Sequence, residues 1–211
     1  MTRYRFSGRV TATALILIAS LAAAVGLWWG ARVLAPQAQP TLQAAVMYPA
    51  PRPLPAFQLT RADNTPLTLA DWKGHWTIAF FGYTHCPDVC PTTLATFKQV
   101  WKQLDPAVAT RVRFDFISVD PARDTPEQLS RYVAYFNPAF IAATGSDDAL
   151  APLTQALGLV YSRAKSDGSD YTVDHSASAV IIDPQGRQAG LFRPPFDASK
   201  IAADLSTLAQ P

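Results

Sequence analysis

Between Arg9 and Arg32 the chain carries no charged side chain. The run Val10–Ala31 is rich in Ala, Leu, Ile and Val, and it is long enough for a helix crossing a hydrocarbon core, which takes about 20 residues. Trp28 and Trp29 close it, where indoles favour a membrane interface. Arg3, Arg5 and Arg9 precede it as a basic head over 1–9. The positive-inside bias then puts the head in the cytoplasm and everything beyond Arg32 outside. A cleaved signal peptide is the alternative, but its apolar core is usually about 7–15 residues. The expectation is an uncleaved transmembrane anchor over 10–31.

The same run explains the composition. Charged residues make up 16% of the 211 residues, against about 25% in soluble proteins. Residues 1–34 hold four Arg and no acid, which leaves the rest slightly acidic. No basic stripe exists to neutralise phosphates, so a nucleic-acid partner is excluded. Two cysteines cannot make a disulfide-dense scaffold or a four-Cys zinc finger. Residues 32–55 include Pro36, Pro40, Pro49, Pro51, Pro53 and Pro55 and read as an extended Pro-rich linker. The remaining stretch, 56–211, has the size of one domain with its own core.

Within that domain Trp76–Tyr83 reads as a buried strand, with a helix over Thr92–Leu104 whose Leu94, Phe97, Trp101 and Leu104 share a face. Val112–Val119 is a second strand. Thr125, Pro126 and Gln128 form a capping box ahead of a helix with Leu129, Val133 and Phe136 buried. A short strand near Phe140–Thr144 comes next, then a segment ending at Gly158 that Pro152 interrupts. Val160–Lys165 and Tyr171–Val173 flank a Ser166–Ser169 turn as a hairpin. Ala177–Ile182 and Gln188–Phe192 form another, and a last helix spans Ala198–Leu208. This alternation predicts an α/β fold with a mixed central sheet.

Both cysteines lie in Cys86-Pro87-Asp88-Val89-Cys90, directly after the first buried strand. Pro91 places the helix start near itself and the cysteines in a loop at its N-terminus. Backbone N–H groups and the helix dipole there favour thiolates. The two sulfurs can form a disulfide or share a metal. A purely structural disulfide gains little, because a five-residue loop stabilises by roughly 2 kcal/mol. Metal binding needs a further ligand from His75, His85 or His175. His85 neighbours Cys86 and points to the opposite strand face, so a shared ion is awkward. His175 precedes a strand that could lie beside the first one. Two thiolates and an imidazole suit Cu(I) and accept Cu(II) with added ligands, whereas structural zinc wants four donors. Asp174 is either a partner orienting the loop or a solvated acid. Asp120, Arg123 and Asp124 read as turn and capping residues, with a partner surface as the alternative.

Three blocks resemble one known family. Phe81-Gly82-Tyr83-Thr84-His85-Cys86-Pro87-Asp88-Val89-Cys90-Pro91 is similar to the copper-binding loop of the Sco (SenC) family. Ser118-Val119-Asp120-Pro121-Ala122-Arg123-Asp124-Thr125-Pro126 and Val173-Asp174-His175-Ser176 resemble its second and third blocks. The resemblance implies a thioredoxin-like fold with an inserted β-hairpin behind the N-terminal transmembrane helix. It implies copper, as Cu(I) and Cu(II), on Cys86, Cys90 and His175. It implies a metallochaperone assisting assembly of the binuclear copper site of cytochrome c oxidase subunit II, or another copper acceptor. Copper chaperones or thioredoxin-like proteins are further expected partners. The alternative is a thiol–disulfide oxidoreductase using Cys86 and Cys90 as a redox-active dithiol. Thioredoxins place two residues between their cysteines and this chain three, a spacing that still permits exchange. A peroxide reductase is not indicated, because the chain has no peroxiredoxin-type Pro-x-x-x-Thr-x-x-Cys. The expected location is a bacterial inner membrane, single-pass, with the domain in the periplasm.

Overall fold

A computed structural model describes residues 8–34, 41–163 and 171–210 of the chain. Two compact units result, Met1–Pro40 and Thr41–Pro211. The first contains one helix, α1 (Gly8–Leu34), which extends the uncharged run at both ends. Leu15, Leu17, Leu21 and Leu27 are exposed along it, and Thr13–Arg32 has the length and hydropathy to cross a membrane. Such a helix satisfies its own backbone hydrogen bonds, the condition for a segment in lipid. Arg3 and Arg5 of the basic head lie outside the described residues.

In the second unit β1 (Ala45–Pro53), β2 (Gln58–Arg61) and β3 (Pro66–Thr68) lead through a 3-10 turn to β4 (Trp76–Gly82). Helix α2 (Val89–Gln103) and the short α3 (Pro106–Ala109) connect to β5 (Val112–Ser118). Helix α4 (Pro126–Phe136) connects to β6 (Ile141–Thr144). Then come α5 (Asp147–Leu157), β7 (Tyr161–Arg163) and β8 (Val173–His175). Last are β9 (Ala179–Ile182), β10 (Arg187–Phe192) and α6 (Ala198–Leu208).

Eight strands form one mixed sheet in the order β1-β10-β9-β4-β5-β6-β2-β3. β4, β5 and β6 run parallel through their helical crossovers, and the other pairs are antiparallel. Successive side chains alternate between two cores. Ile78, Phe80, Phe114 and Phe116 pack with Leu94, Phe97, Leu129 and Ile201. Ala79, Phe81 and Ile117 pack with Trp72, Leu150 and Val173 on the other face. With both faces covered, β4 is apolar along nearly its whole length, as its sequence predicts.

β7 and β8 stand outside this sheet as a separate two-stranded hairpin. The predicted turn over Ser166–Ser169 lies outside the described residues. The capping box of α4 forms as predicted: the Gln128 amide donates to Thr125 Oγ1 and the Thr125 amide to Gln128 Oε1. Pro152 is accommodated inside α5, which ends on left-handed Gly158.

Two expectations are corrected. Residues 32–55 are not all linker. Ala45–Pro53 is a sheet-edge strand, with Ala45 opposite Phe192 and Pro53 opposite Arg187. An edge strand needs ladder donors on one side only, so its prolines are tolerated. The Asp204 carboxylate, on α6, accepts from the amides of Gln43, Ala44 and Ala45 at 2.7 to 2.8 Å and fixes the start of this strand. The folded unit therefore begins near Thr41 rather than at 56. Helix α2 also starts at Val89, before Pro91. Pro91 is the third helical residue, where a missing N–H removes no intrahelical bond.

Candidate metal centre

The C-terminal end of β4 delivers the chain into the cysteine loop. The Cys86 amide donates to the Tyr83 carbonyl, which turns the chain after the strand. Cys90 is the second residue of α2, and its amide donates to Cys86 Sγ at 3.4 Å. A free N–H of the helix start thus faces the first sulfur, as the dipole argument requires. Cys90 is fully buried, Cys86 half-buried, and no disulfide joins them. The Cys90 sulfur lies over Gly82: a Cβ there would come within 2.6 Å of it. Only glycine leaves that space.

Behind the loop lies a fully buried carboxylate, Asp124. It accepts from the Thr84 amide at 2.9 Å, from Thr84 Oγ1 at 2.6 Å and from Ser118 Oγ. Asp120, also fully buried, accepts from Arg123 Nε at 2.6 Å and from the Tyr171 hydroxyl. These acids do more than turn the chain and form no exposed partner surface. Asp124 joins the end of β5 to the residue before His85.

His175 ends β8, opposite Tyr161 in the hairpin. Its Nδ1 is 3.3 Å from the Ser176 carbonyl and its Nε2 is 3.4 Å from Cys90 Sγ. A carbonyl only accepts, so Nδ1 carries the proton and Nε2 presents its lone pair towards the thiols. Phe80 and Tyr83 hold the ring edge-on, with centroids 5.9 and 5.8 Å away. Burial lowers the pKa of His175, which keeps the ring neutral. Burial pushes the Cys90 thiol far up, outweighing the helix N-terminus. A cation beside that sulfur offsets the cost of ionising it.

Cys86, Cys90 and His175 thus offer two sulfurs and one nitrogen within 4.8 Å of one another. The donors are soft, as copper prefers, and a fourth protein ligand for structural zinc is not among the group. The other histidines stay apart from it. His75 is at the opposite end of β4, with Nδ1 3.2 Å from the Lys73 carbonyl. His85 is exposed, its Nδ1 3.5 Å from Asp124 Oδ1. Asp174 is exposed, and the Ser176 carbonyl, not this acid, faces the ring of His175.

The SCO1/SenC family model matches residues 47–210. This chain belongs to the SCO1/SenC family. A relative from Stutzerimonas stutzeri is 37% identical over 151 residues, 72% of this chain and 74% of that one. Of several mitochondrial relatives the chain spans between 39% and 52% of the length. The apo Sco1 structure from Thermus thermophilus superposes with a TM-score of 0.73 at 34% identity, covering 81% of this chain and 99% of that one. Bradyrhizobium japonicum ScoI with copper bound gives 0.67 at 35% identity, covering 73% and 98%. The fold is the thioredoxin-like fold of Sco proteins, and family members bind copper.

Two features of the site go beyond its sequence motifs: the packing role of Gly82 and the burial of Asp124. A glycine closing a run of bulky strand residues was the available signal for the first. For the second there was none, since an acid after Asp-Pro reads equally as a turn residue.

Proposed function

We propose that this chain is a membrane-anchored copper metallochaperone that assists assembly of the binuclear copper site of cytochrome c oxidase. Cys86 and Cys90 supply thiolates and His175 a neutral imidazole. The observation that carries this reading is the approach of Nε2 of His175 to the Cys90 sulfur across 85 positions of sequence. Two thiolates match the charge of Cu(II) and leave Cu(I) softly held, so both oxidation states are accommodated. Binding releases the thiol protons. Copper is the cargo: subunit II or another copper acceptor takes it, and a copper chaperone or thioredoxin-like protein supplies or reduces the site. Helix α1 holds the protein in a bacterial inner membrane, and the positive-inside bias of its arginines puts the folded unit in the periplasm.

An exchange role for the same dithiol is less favoured. Cys86 is the accessible sulfur that would attack, and the imidazole beside Cys90 is a third soft-metal donor that exchange does not need.

The test is metal analysis of the full chain in detergent, reduced and then loaded with copper. One copper per chain, with a thiolate-to-Cu(II) band in the visible that disappears in Cys86→Ser and Cys90→Ser, is the expected result. Copper retained by both variants overturns the ligand set.

A further inference from the structure

The hairpin that carries His175 is small. Two three-residue strands cannot hold a position by themselves. Val173 is its one buried apolar anchor among the described strand residues. Tyr161 and Tyr171 pack partly against the same core, and Phe80 and Tyr83 flank the His175 ring; the polar hold reaches the end of β5 and the start of α5. Arg163, opposite Val173 in the hairpin, donates through one guanidinium nitrogen to the Val119 carbonyl at 2.6 Å. Its fork also grips Asp147, at the first turn of α5, at 2.8 and 2.7 Å. The Tyr171 hydroxyl donates to Asp120, and the Arg123 guanidinium lies 3.6 Å over the Tyr171 ring.

Val119 is no arbitrary attachment point. Its amide donates to the Gly82 carbonyl at 2.8 Å, and Gly82 is the residue on which the Cys90 sulfur rests. One hydrogen-bonded path therefore runs from Arg163 through Val119 to the glycine beneath the thiol. It ties the element that bears the imidazole to the backbone that bears the sulfurs. We infer that Arg163 is a positioning residue for copper: it keeps the hairpin docked so that His175 can close the site.

The inference rests on the proposed ligand set. A site that is competent only when the hairpin is docked binds with its intrinsic affinity scaled by the docked fraction. Cu(I) is satisfied by two thiolates and depends little on that fraction, whereas Cu(II) needs the imidazole. Arg163→Ala on the full chain should weaken Cu(II) binding about 10-fold or more, in the range found for groups that orient a ligand. Cu(I) affinity, read by competition with a chelator, should change less than about 3-fold. In a His175→Ala background the same substitution should add no further Cu(II) loss, because the group it positions is gone.

Tyr171→Phe keeps the ring under Arg123 and removes only the hydroxyl bond. It should show the same split at a few-fold, and it carries the test if Arg163→Ala does not fold. Equal losses for both oxidation states, equal losses with and without His175, or unchanged Cu(II) binding overturn the positioning role. A wild-type chain that binds no copper overturns the ligand set itself, and this inference with it.

Discussion

The two sides of the site are built differently. The sulfurs are held by the main sheet: β4 and α2 carry them, Gly82 lies beneath Cys90, and the buried Asp124 fixes Thr84 before the loop. The imidazole is carried by a hairpin outside that sheet, anchored by Val173, by partly buried tyrosines and by a few polar side chains, with its ring against Phe80 and Tyr83. Deep burial of Cys90, with Cys86 half-buried at the helix start beside it, makes the first side the firmly held one. The second side, a short hairpin outside the sheet, is held by fewer buried apolar contacts. In the copper-carrying role proposed above, this division assigns the two thiolates to holding the ion and the imidazole to closing over it.

The comparison breaks most directly at the sulfurs. Cys86→Ser and Cys90→Ser should each abolish copper retention in a metal-to-protein titration, for either oxidation state. Removing the imidazole should be selective instead. His175→Ala should lose Cu(II) far more than Cu(I), and equal retention of both would erase the distinction between the two sides. Gly82→Ala should disturb only the firmly held side. Its new methyl collides with the Cys90 sulfur and with Phe116, which lies 3.0 Å from the same point, costing about 1–3 kcal/mol in urea denaturation and weakening both oxidation states together.

Asp124→Ala should cost about 2–4 kcal/mol by the same measurement, because a buried donor at Ser118 and half-buried donors at Thr84 lose their acceptor.

The smallest effect is with pH, in the copper-free protein. The folded pKa of His175 lies below its ordinary 6.5, so the unfolded state binds the proton first. Its contribution to stability is present above about 6.5 and is lost as pH falls below it. Cys90 has the opposite sign. Its folded pKa lies above the ordinary 9.0, so its contribution holds below about 9 and is lost as pH rises further. Amide exchange should therefore show the hairpin loosening at acid pH before the cysteine loop does.

Much of this was legible along the chain. The apolar run, the buried β4, the capping box at Thr125 and the final helix over Ala198–Leu208 each arise from local pattern, and the structure shows each of them. β1 was hidden because prolines signal extended linker, and only its partner β10 makes it an edge strand. The three short stretches that carry the family likeness named the donors by resemblance. They could not place His175 beside Cys90.

The sequence by itself determined the long apolar helix, the α/β order of elements and the pairing of two cysteines at a helix start. These depend on neighbours within a few residues, where periodicity, caps and turn chemistry act. Tertiary structure alone decided that a ring from residue 175 faces a sulfur from residue 90, that Asp124 is buried, and that Arg163 reaches the Val119 carbonyl. Such meetings arise from the crossing of sheet, helix and hairpin. No local pattern records them, because the free energy that fixes them comes from packing among segments far apart in the chain.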